Sequence, residues 1–284
     1  MSVVLWLFSR LGDQLFMIFT ACALAIENNV DYKIISYKFK AMDNNRVYWN
    51  SIFSPCVPNL YHDLKKDISM YDKNPVYIEE SSDFKMIPYE PGTNNIIKGY
   101  FQSYKYFDKY CDKICDMFNI NNKRMALKIK YSHLFTKKLV VIHIVSSEYV
   151  SIQDRYCIKK PQYYIHAISS LIRDIKDVKN YNFAVFYTSI DKDHVFKYMT
   201  VFKTIIKPPI TFIDVPEGIT EWEKMLLMSS GDHFILANSS ISWFAAYLSE
   251  TRDKIVYYPR KWFSNISTRH SSDMFPPSWK PIDF

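Results

Sequence analysis

The segment from Ile235 to Leu248 constrains the fold more than any other part of the chain. Its sequence, Ile-Leu-Ala-Asn-Ser-Ser-Ile-Ser-Trp-Phe-Ala-Ala-Tyr-Leu, predicts a short buried strand, a polar turn and an amphipathic helix. Asn and Ser are favoured at a helix N-cap because their side-chain oxygens accept amide hydrogens of the first turn. A helix start also carries partial positive charge and N–H donors, which can hold a phosphate. The segment therefore predicts an α/β protein, with either a capped helix or a nucleotide-binding turn here.

Alternating strands and helices run along both halves of the chain. Val3 to Phe8 predicts a buried strand, and apolar residues at helical spacing follow from Leu15. Leu139 to Ile144 is a continuous, β-branched run typical of a strand buried on both faces. The polar, basic segment 119–138 separates the halves. The sequence therefore predicts two Rossmann-like domains that cross there, with the final residues returning to the first domain.

Composition narrows the class of ligand. The 284 residues are 48% hydrophobic but include only 5 glycines, and no glycine-rich nucleotide loop is present. The net charge of +7, from 36 basic and 29 acidic residues, fits an anionic substrate such as a nucleotide sugar, or an anionic membrane surface. Neither a basic stripe nor a known nucleic-acid-binding module is present, so we expect no nucleic-acid partner.

Cysteine usage and the first residues predict a compartment. The five cysteines are scattered and odd in number, which argues against a disulfide framework and favours a reducing compartment. Cys111 and Cys115 lie four residues apart without a matching His or Cys pair, which favours buried thiols over a metal site. The apolar start is too short for a membrane span and lacks the basic region of a signal peptide. We therefore expect a soluble cytoplasmic protein without a transmembrane segment.

Four motifs, in this order, resemble those of the α-1,2-fucosyltransferase family, glycosyltransferase family 11. Ser9-Arg-Leu-Gly-Asp-Gln-Leu-Phe16 is similar to the family's GRLGNQLF, and Gly99-Tyr-Phe-Gln-Ser-Tyr-Lys-Tyr-Phe107 is similar to its GYFQSYKYF. The segment 235–248 resembles its LANSSFSWWAA, and Pro259-Arg-Lys-Trp-Phe263 resembles its late PxxWF element. Together these motifs span nearly the whole chain.

The resemblance implies a GT-B glycosyltransferase, an α/β protein with two facing Rossmann-like domains. It implies an acceptor-side domain over residues 1–130 and a nucleotide-sugar-binding domain over residues 131–284. The implied reaction is inverting transfer of a 6-deoxy-L-hexose to a hydroxyl of an oligosaccharide or glycoconjugate, with an α-linkage, α-1,2 in the family. Ligands of open α/β sheets bind outside the carboxyl ends of strands, and all the candidate turns fall there.

Two loops depart from the family pattern. The family's HxRRGDY reads His143-Ile-Val-Ser-Ser-Glu-Tyr149 here, so that Val145 and Ser146 occupy the arginine positions. In related fucosyltransferases the first arginine contacts the donor pyrophosphate, a bidentate role that valine cannot take. Ser189 occupies the position of an acid that reads guanine. These changes leave two interpretations, an inactive protein or a changed donor. We favour UDP-L-rhamnose as the alternative to GDP-L-fucose.

Inverting transfer needs a base for the acceptor hydroxyl and groups that neutralise the leaving diphosphate. Asp13 is the sharpest candidate base, although it could equally cap the helix that starts there. Glu148 is the second candidate. Arg10 and the serines of the 235–248 segment are candidates for the diphosphate. His143 is as consistent with a hydrogen-bonded core histidine as with a donor contact.

The complete set of predicted site residues follows from these arguments. No DxD motif is present, so we expect neither a metal nor another cofactor besides the donor. The alternative from a different class is a catalytically inactive glycan- or nucleotide-binding protein of the same fold. The catalytic candidates are Asp13, Glu148 and Arg10; the donor-binding candidates are His143, Ser146, Ser147, Thr188, Ser189, Asn238, Ser239 and Ser240; the acceptor-binding candidates are Gln14, Gln102 and Tyr104.

Overall fold

The chain forms two compact units. The first contains Met1–Asn121 and Arg269–Pro276, and the second contains Asn122–Thr268 and Pro277–Phe284. The computed structural model describes residues 1–36, 48–61, 74–145, 160–206, 211–215, 218–264 and 271–283.

A four-stranded parallel sheet forms the centre of the first unit. Its strands are β1 (Ser2–Leu7), β2 (Asp31–Ser36), β3 (Val76–Ile78) and β4 (Asn95–Lys98), in the order β2-β1-β4-β3. β1 is almost wholly apolar and buried, as expected for a central strand that is covered on both faces.

Aromatic side chains build much of the core of this unit. Helix α1 (Leu11–Glu27) is buried along most of its length, and the short helix α2 (Cys111–Met117) packs against it. Rings of Phe16, Phe19 and Phe107 lie with their centroids 5.5 to 5.9 Å apart. Pairs of this kind stabilise a core beyond the area that they bury. These rings therefore pack α1 against the segments that follow β4.

A late segment of the chain also belongs to the first unit. Ser103 Oγ donates a hydrogen bond to the carbonyl oxygen of Asp273 at 2.6 Å, and the Asp273 carboxylate accepts one from the Phe84 amide at 3.0 Å. Lys105 forms an ion pair with the same carboxylate. These contacts join residues 271–276 to the loops after β3 and β4.

The second unit contains a six-stranded parallel sheet. Its strands are β5 (Lys138–His143), β6 (Tyr181–Phe186), β7 (Thr211–Asp214), β8 (His233–Ile235), β9 (Val256–Pro259) and β10 (Lys280–Ile282). Their order is β10-β9-β8-β5-β6-β7. The helices are α3 (Ile120–Lys130), which begins at the boundary between the units, α4 (Pro161–Asp174), α5 (Lys192–Ile205), α6 (Glu221–Met228) and α7 (Ser240–Tyr247).

Strand order identifies one switch point in each unit. In the second unit the chain moves from β5 outward to β7 and then resumes at β8, on the other side of β5. This is the Rossmann order, and ligands of such sheets bind at the carboxyl ends beside the reversal. In the first unit β1 is followed by β2 on one side, while β4 pairs with its other side. The loops after β1 and β4, and those after β5 and β8, therefore form the expected ligand-binding edges.

Several predicted elements agree closely with the structure. The sequence Thr211-Phe-Ile-Asp214 predicts a strand, and β7 has these bounds. Thr220 followed three residues later by Glu223 predicts a helix with a capping box, and α6 begins with one, in which the Thr220 amide donates to Glu223 at 3.1 Å. Two elements were not predicted, namely α5 and β10. The aromatic and charged residues of segment 104–118 follow a helical pattern that predicts a helix, but the segment contains two short 3₁₀ turns before α2. No helix in the described residues has the length and apolarity needed to span a membrane.

The chain terminus differs from the prediction. The segment that joins the first unit is Arg269–Pro276, whereas the final residues belong to the second unit. β10 extends the second sheet by pairing with β9, and the Lys280 ammonium donates to the Asp174 carboxylate at 2.5 Å. The first unit's opening segment ends at Asn121, nine residues before the predicted boundary at 130. The acceptor and donor roles assigned to the two domains stay predictions.

Candidate functional site

A polar network joins the two loops at the switch point of the first unit. The Asp13 carboxylate accepts a hydrogen bond from Ser9 Oγ at 2.6 Å and another from Gln102 Nε2 at 2.6 Å. Gln14 Nε2 donates to the carbonyl oxygen of Ser9 at 2.9 Å. The structure therefore brings together three of the predicted residues, Asp13, Gln14 and Gln102, and adds Ser9, which had not been singled out.

The backbone of both loops is strained. Ser9 has a φ of 67° and Phe101 has a φ of 51°, in the left-handed region that non-glycine residues rarely adopt. Residues of this kind are common at functional sites because the surrounding structure must hold them in place. One strained residue, Ser9, donates a hydrogen bond to the Asp13 carboxylate, and the other, Phe101, immediately precedes the second donor, Gln102.

Glu79 holds the loop after β4. Its carboxylate accepts hydrogen bonds from the Tyr100 amide at 2.7 Å and the Phe101 amide at 3.0 Å. A Cβ atom at Gly99 would lie 2.4 Å from the Glu79 Cβ, so only glycine allows this approach. Sequence reasoning missed Glu79, because an acid after an exposed strand resembles an ordinary surface residue. Its contacts fix the backbone immediately before Gln102.

Asp13 is not the N-cap residue of α1, the position that one of its two interpretations gave it. The helix begins at Leu11 with Arg10 as the N-cap residue, and the Arg10 side chain makes no capping hydrogen bond. Asp13 is the third residue of the helix, in the first turn, where a negative charge is favourable. Arg10 is exposed, and Tyr104 lies half-buried in the 3₁₀ turn after Gln102.

The turn after β8 is firmly anchored in the second unit. The carbonyl oxygen of Leu236 accepts a hydrogen bond from the Tyr163 hydroxyl at 2.5 Å, and Asn238 Nδ2 donates to the carbonyl oxygen of Trp262 at 3.0 Å. Ser239 is the N-cap residue of α7, but its side chain makes no capping hydrogen bond. The expected capping by this side chain is therefore wrong, and the Asn238 amide holds the neighbouring loop.

Two cationic side chains hold the other end of α7. Buried Arg124 donates to the carbonyl oxygen of Leu248 at 2.5 Å and pairs with Glu250. Lys254 Nζ donates to the carbonyl oxygen of Ser249 at 2.6 Å. Cations are favourable at a helix C-terminus because carbonyl groups there lack intrahelical partners. α7 is thus fixed at both ends, so that its first turn has a defined position at the switch point.

His143 ends β5 and is held neutral. Its pKa is lowered to about 3, first because burial removes the ring from water and second because the Lys224 charge repels a proton. Among the described residues its buried Nδ1 has no hydrogen-bond partner. A neutral imidazole can donate or accept a hydrogen bond, but it cannot supply positive charge to a diphosphate.

Lys224 lies beside the predicted donor loops. It belongs to α6, and its Nζ donates to the carbonyl oxygen of Tyr187, the first residue after β6, at 2.6 Å. Its charge also contributes to the lowered pKa of His143 at the end of β5. Sequence reasoning missed this residue because α6 contributes no family motif. Spacing alone could not bring a lysine from α6 to the carboxyl ends of β5 and β6.

The remaining donor-side residues lie on the loops after β5 and β6. Thr188 Oγ1 donates to the buried Asp191 carboxylate at 2.9 Å, and Ser189 begins a short, exposed 3₁₀ turn. Val145 is buried, so an apolar side chain occupies the position of the family's first arginine. Ser146, Ser147 and Glu148 lie outside the described residues. Their assigned roles stay predictions.

Comparisons with known proteins agree on the family. The sequence profile of glycosyl transferase family 11 matches residues 61–283. An α-1,2-colitosyltransferase of Escherichia coli is 26% identical over 299 residues, and the alignment covers 99% of each chain. The O-antigen biosynthesis glycosyltransferase WbnK of Escherichia coli is 44% identical over 55 residues, 19% of this chain and 17% of that protein.

Two solved structures share the fold. A mutant of the FUT1 protein of Arabidopsis thaliana in complex with GDP has a TM-score of 0.50 at 16% identity, covering 97% of this chain and 74% of that one. The ADP-heptose lipopolysaccharide heptosyltransferase II of Escherichia coli has a TM-score of 0.51 at 11% identity, covering 99% and 90%. The predicted GT-B fold class is confirmed, and with its profile match over residues 61–283 the chain belongs to glycosyl transferase family 11.

Proposed function

We propose that the protein is an inverting glycosyltransferase that moves a 6-deoxy-L-hexose from a nucleotide sugar to a glycan hydroxyl, forming an α-1,2 linkage. The observation that carries this proposal is family membership combined with an alignment over 99% of an α-1,2-colitosyltransferase. That relative supports both the class of sugar and the linkage. The acceptor is an oligosaccharide or a glycoconjugate.

Asp13 is the proposed base. The acceptor hydroxyl transfers its proton to the carboxylate while its oxygen bonds to the anomeric carbon, and the bond from that carbon to the diphosphate breaks, leaving its electron pair on the phosphate oxygen. The hydrogen bonds from Ser9 and Gln102 fix the orientation of this carboxylate. Gln14 and Tyr104 lie in this region and are the proposed acceptor contacts.

Positive charge for the leaving diphosphate comes from several groups in this proposal. Val145 removes the arginine that serves related enzymes, and neutral His143 does not replace its charge. Lys224 and the first turn of α7, from Ser239 onward, are the remaining candidates, since a helix start favours an anion. Arg10 is the candidate cation of the first unit. No metal is required in this scheme, and insensitivity to a chelator is the expected result.

The donor nucleotide is the finer part of the proposal. Val145 and Ser189 together remove a phosphate ligand and a guanine-reading acid from the family pattern. A uracil nucleotide does not require that acid. UDP-L-rhamnose is therefore the first donor to test, beside GDP-L-fucose and a nucleotide-linked colitose, which the relative's name suggests.

Donor turnover tests the function itself. The purified protein is incubated with each nucleotide sugar, with and without a panel of oligosaccharides, and release of the nucleoside diphosphate is measured. The expected result is slow hydrolysis alone and faster release with a suitable acceptor. Tight nucleotide or glycan binding without any turnover would instead favour the inactive binding protein.

A further inference from the structure

An exposed apolar pair lies on α3, in the segment that the function leaves unexplained. Met125 is 61% exposed and Ile129 is 70% exposed. Single exposed apolar side chains are common on soluble proteins and need no explanation. These two, however, lie four residues apart on one helix, so their side chains are neighbours and form one patch.

Lysines flank this patch on both sides. At about 100° per residue, Met125 and Ile129 lie about 40° apart, with Lys128 to one side and Lys130 to the other. Both lysines are exposed. Residues 120–138 contain six Lys or Arg and no Asp or Glu. A carboxylate does approach from α6, since Glu223 lies 3.7 Å from the Lys130 ammonium.

The opposite side of α3 fixes its orientation on the second unit. Leu127 is buried, and buried Arg124 donates to the carbonyl oxygen of Leu248. Because these contacts hold the inner face of the helix, the outer face must present Met125 and Ile129 to its surroundings. The patch is therefore built into the folded unit.

We propose that this outer face of α3 docks on an anionic lipid surface. Apolar side chains flanked by lysines are the pattern of a helix that lies in a membrane interface, where the lysines bind acidic headgroups and the apolar tips enter the acyl boundary. Charge decides against a second copy of the chain as the occupant. Symmetric pairing of this face would place Lys128 and Lys130 against the same lysines of the copy, which is unfavourable.

A second helix shows why the pair on α3 is distinctive. α5 also exposes two apolar side chains, Phe196 at 51% and Ile205 at 54%. They lie nine residues apart, about 180° around the helix, and cannot form one patch. These residues provide a matched control, because replacing them removes a similar exposed apolar area from the same unit.

Vesicle co-sedimentation tests the proposal. The full chain is mixed with phosphatidylcholine vesicles that contain none or about 30% phosphatidylglycerol. The wild type should bind the anionic vesicles and lose binding as salt rises from about 0.1 M to about 0.5 M.

Met125→Ser with Ile129→Ser should reduce binding about tenfold, since two apolar tips no longer enter the interface. Lys128→Gln with Lys130→Gln should reduce it about 25-fold, or about fivefold per lysine.

The control variant, Phe196→Ser with Ile205→Ser, should bind like the wild type. All four replaced positions on α3 are exposed, so melting temperatures should stay near the wild-type value. Equal binding by the wild type and the Met125→Ser, Ile129→Ser variant would overturn the proposal. Dimerisation that this variant abolishes, without vesicle binding by the wild type, would assign the patch to a second copy instead. Docking of α3 on a lipid surface does not depend on which sugar donor or glycan acceptor the protein uses.

Discussion

Asp13 in the first unit and Lys224 in the second are charged residues of the proposal, and neighbouring groups within its own unit hold each of them in place. Ser9 and Gln102 orient the carboxylate, while the Tyr187 carbonyl oxygen accepts a hydrogen bond from the ammonium. His143, by contrast, is held neutral by burial. Replacing Asp13 by Asn, or Lys224 by Gln, therefore removes the charge of the side chain and keeps a group that can form hydrogen bonds.

Replacing Asp13 by Asn should remove the base and preserve the fold. Asn has the same size, and the Gln102 amide can rotate to present its oxygen to the new amide group. Loss of a general base typically costs about 10²–10⁴ in rate. Steady-state kinetics should show this loss in kcat, with Asp112→Asn on the exposed surface of α2 as the control. Full turnover in Asp13→Asn would exclude Asp13 and transfer the role to Glu148.

Replacing Lys224 by Gln should slow transfer, because a cation near the leaving diphosphate is lost. The expected fall in kcat is about 10²-fold, the usual effect of removing one group that stabilises developing charge. Lys224→Arg should retain part of the rate, and Lys203→Gln on the exposed face of α5 should retain all of it. A Lys224→Gln enzyme with unchanged kcat would show that the diphosphate is neutralised elsewhere.

His143 should make folding stability depend on pH. Its folded pKa of about 3 lies below the unfolded value of about 6.5, so the unfolded state binds more protons between these values. The free energy of unfolding should therefore fall as pH decreases from about 6.5, by about 2 kcal/mol at pH 5. Urea denaturation at about pH 7.5 and pH 5 measures this change. His143→Gln should lose this contribution, whereas exposed His133→Gln should keep it.

Among the helices and strands, α7 carries the 235–248 sequence motif and also contributes its first turn to the candidate site. Its first turn lies at the switch point of the second unit, and Arg124 and Lys254 hold its last carbonyl groups. Since Ser239 makes no capping hydrogen bond, its hydroxyl contributes little to the helix itself. A function for Ser239 would thus be visible in binding rather than in stability.

Ser239→Ala combined with Ser240→Ala should weaken binding of a nucleoside diphosphate by more than about 100-fold. Hydrogen bonds to a charged group contribute about 1.5–3 kcal/mol each, and both hydroxyls would be lost. The melting temperature should change little. Calorimetry with the double variant measures this, beside a control with Thr200→Ala and Thr204→Ala on α5. Unaltered affinity would mean that the serines have only a local structural role.

Helices and strands could be predicted where the local sequence alone determines them. The bounds of β7 and α6 are predicted nearly correctly from sequence, because a short apolar run and a capping box are local features. β10 was missed because Lys280 and Pro281 have no strand preference, and this edge strand is defined by its pairing with β9. The bond between Gln102 and Asp13 joins residues 89 apart in sequence. Their meeting requires β1 and β4 to pair, which no local pattern reveals.

For the whole molecule, the open question is which nucleotide it selects. A site that hydrogen-bonds one base discriminates against another, because mispaired polar groups stay buried. With Val145 and Ser189 in place of the family residues, UDP should bind at least as well as GDP, and UDP-L-rhamnose should be the better donor. Calorimetry with both nucleotides in one buffer decides this. Clearly tighter GDP binding would return the donor to GDP-L-fucose.

The late residues of the chain impose an order on its biosynthesis. The first unit includes residues 269–276, and the second sheet gains its outer strand only with residues 280–282. All the strand pairs described are parallel, so each forms between distant parts of the chain and forms slowly. Neither unit can complete its structure while the ribosome is still making these residues. Both must finish after synthesis passes them, and until Trp279 is made the buried Trp243 ring lacks one of its packing partners.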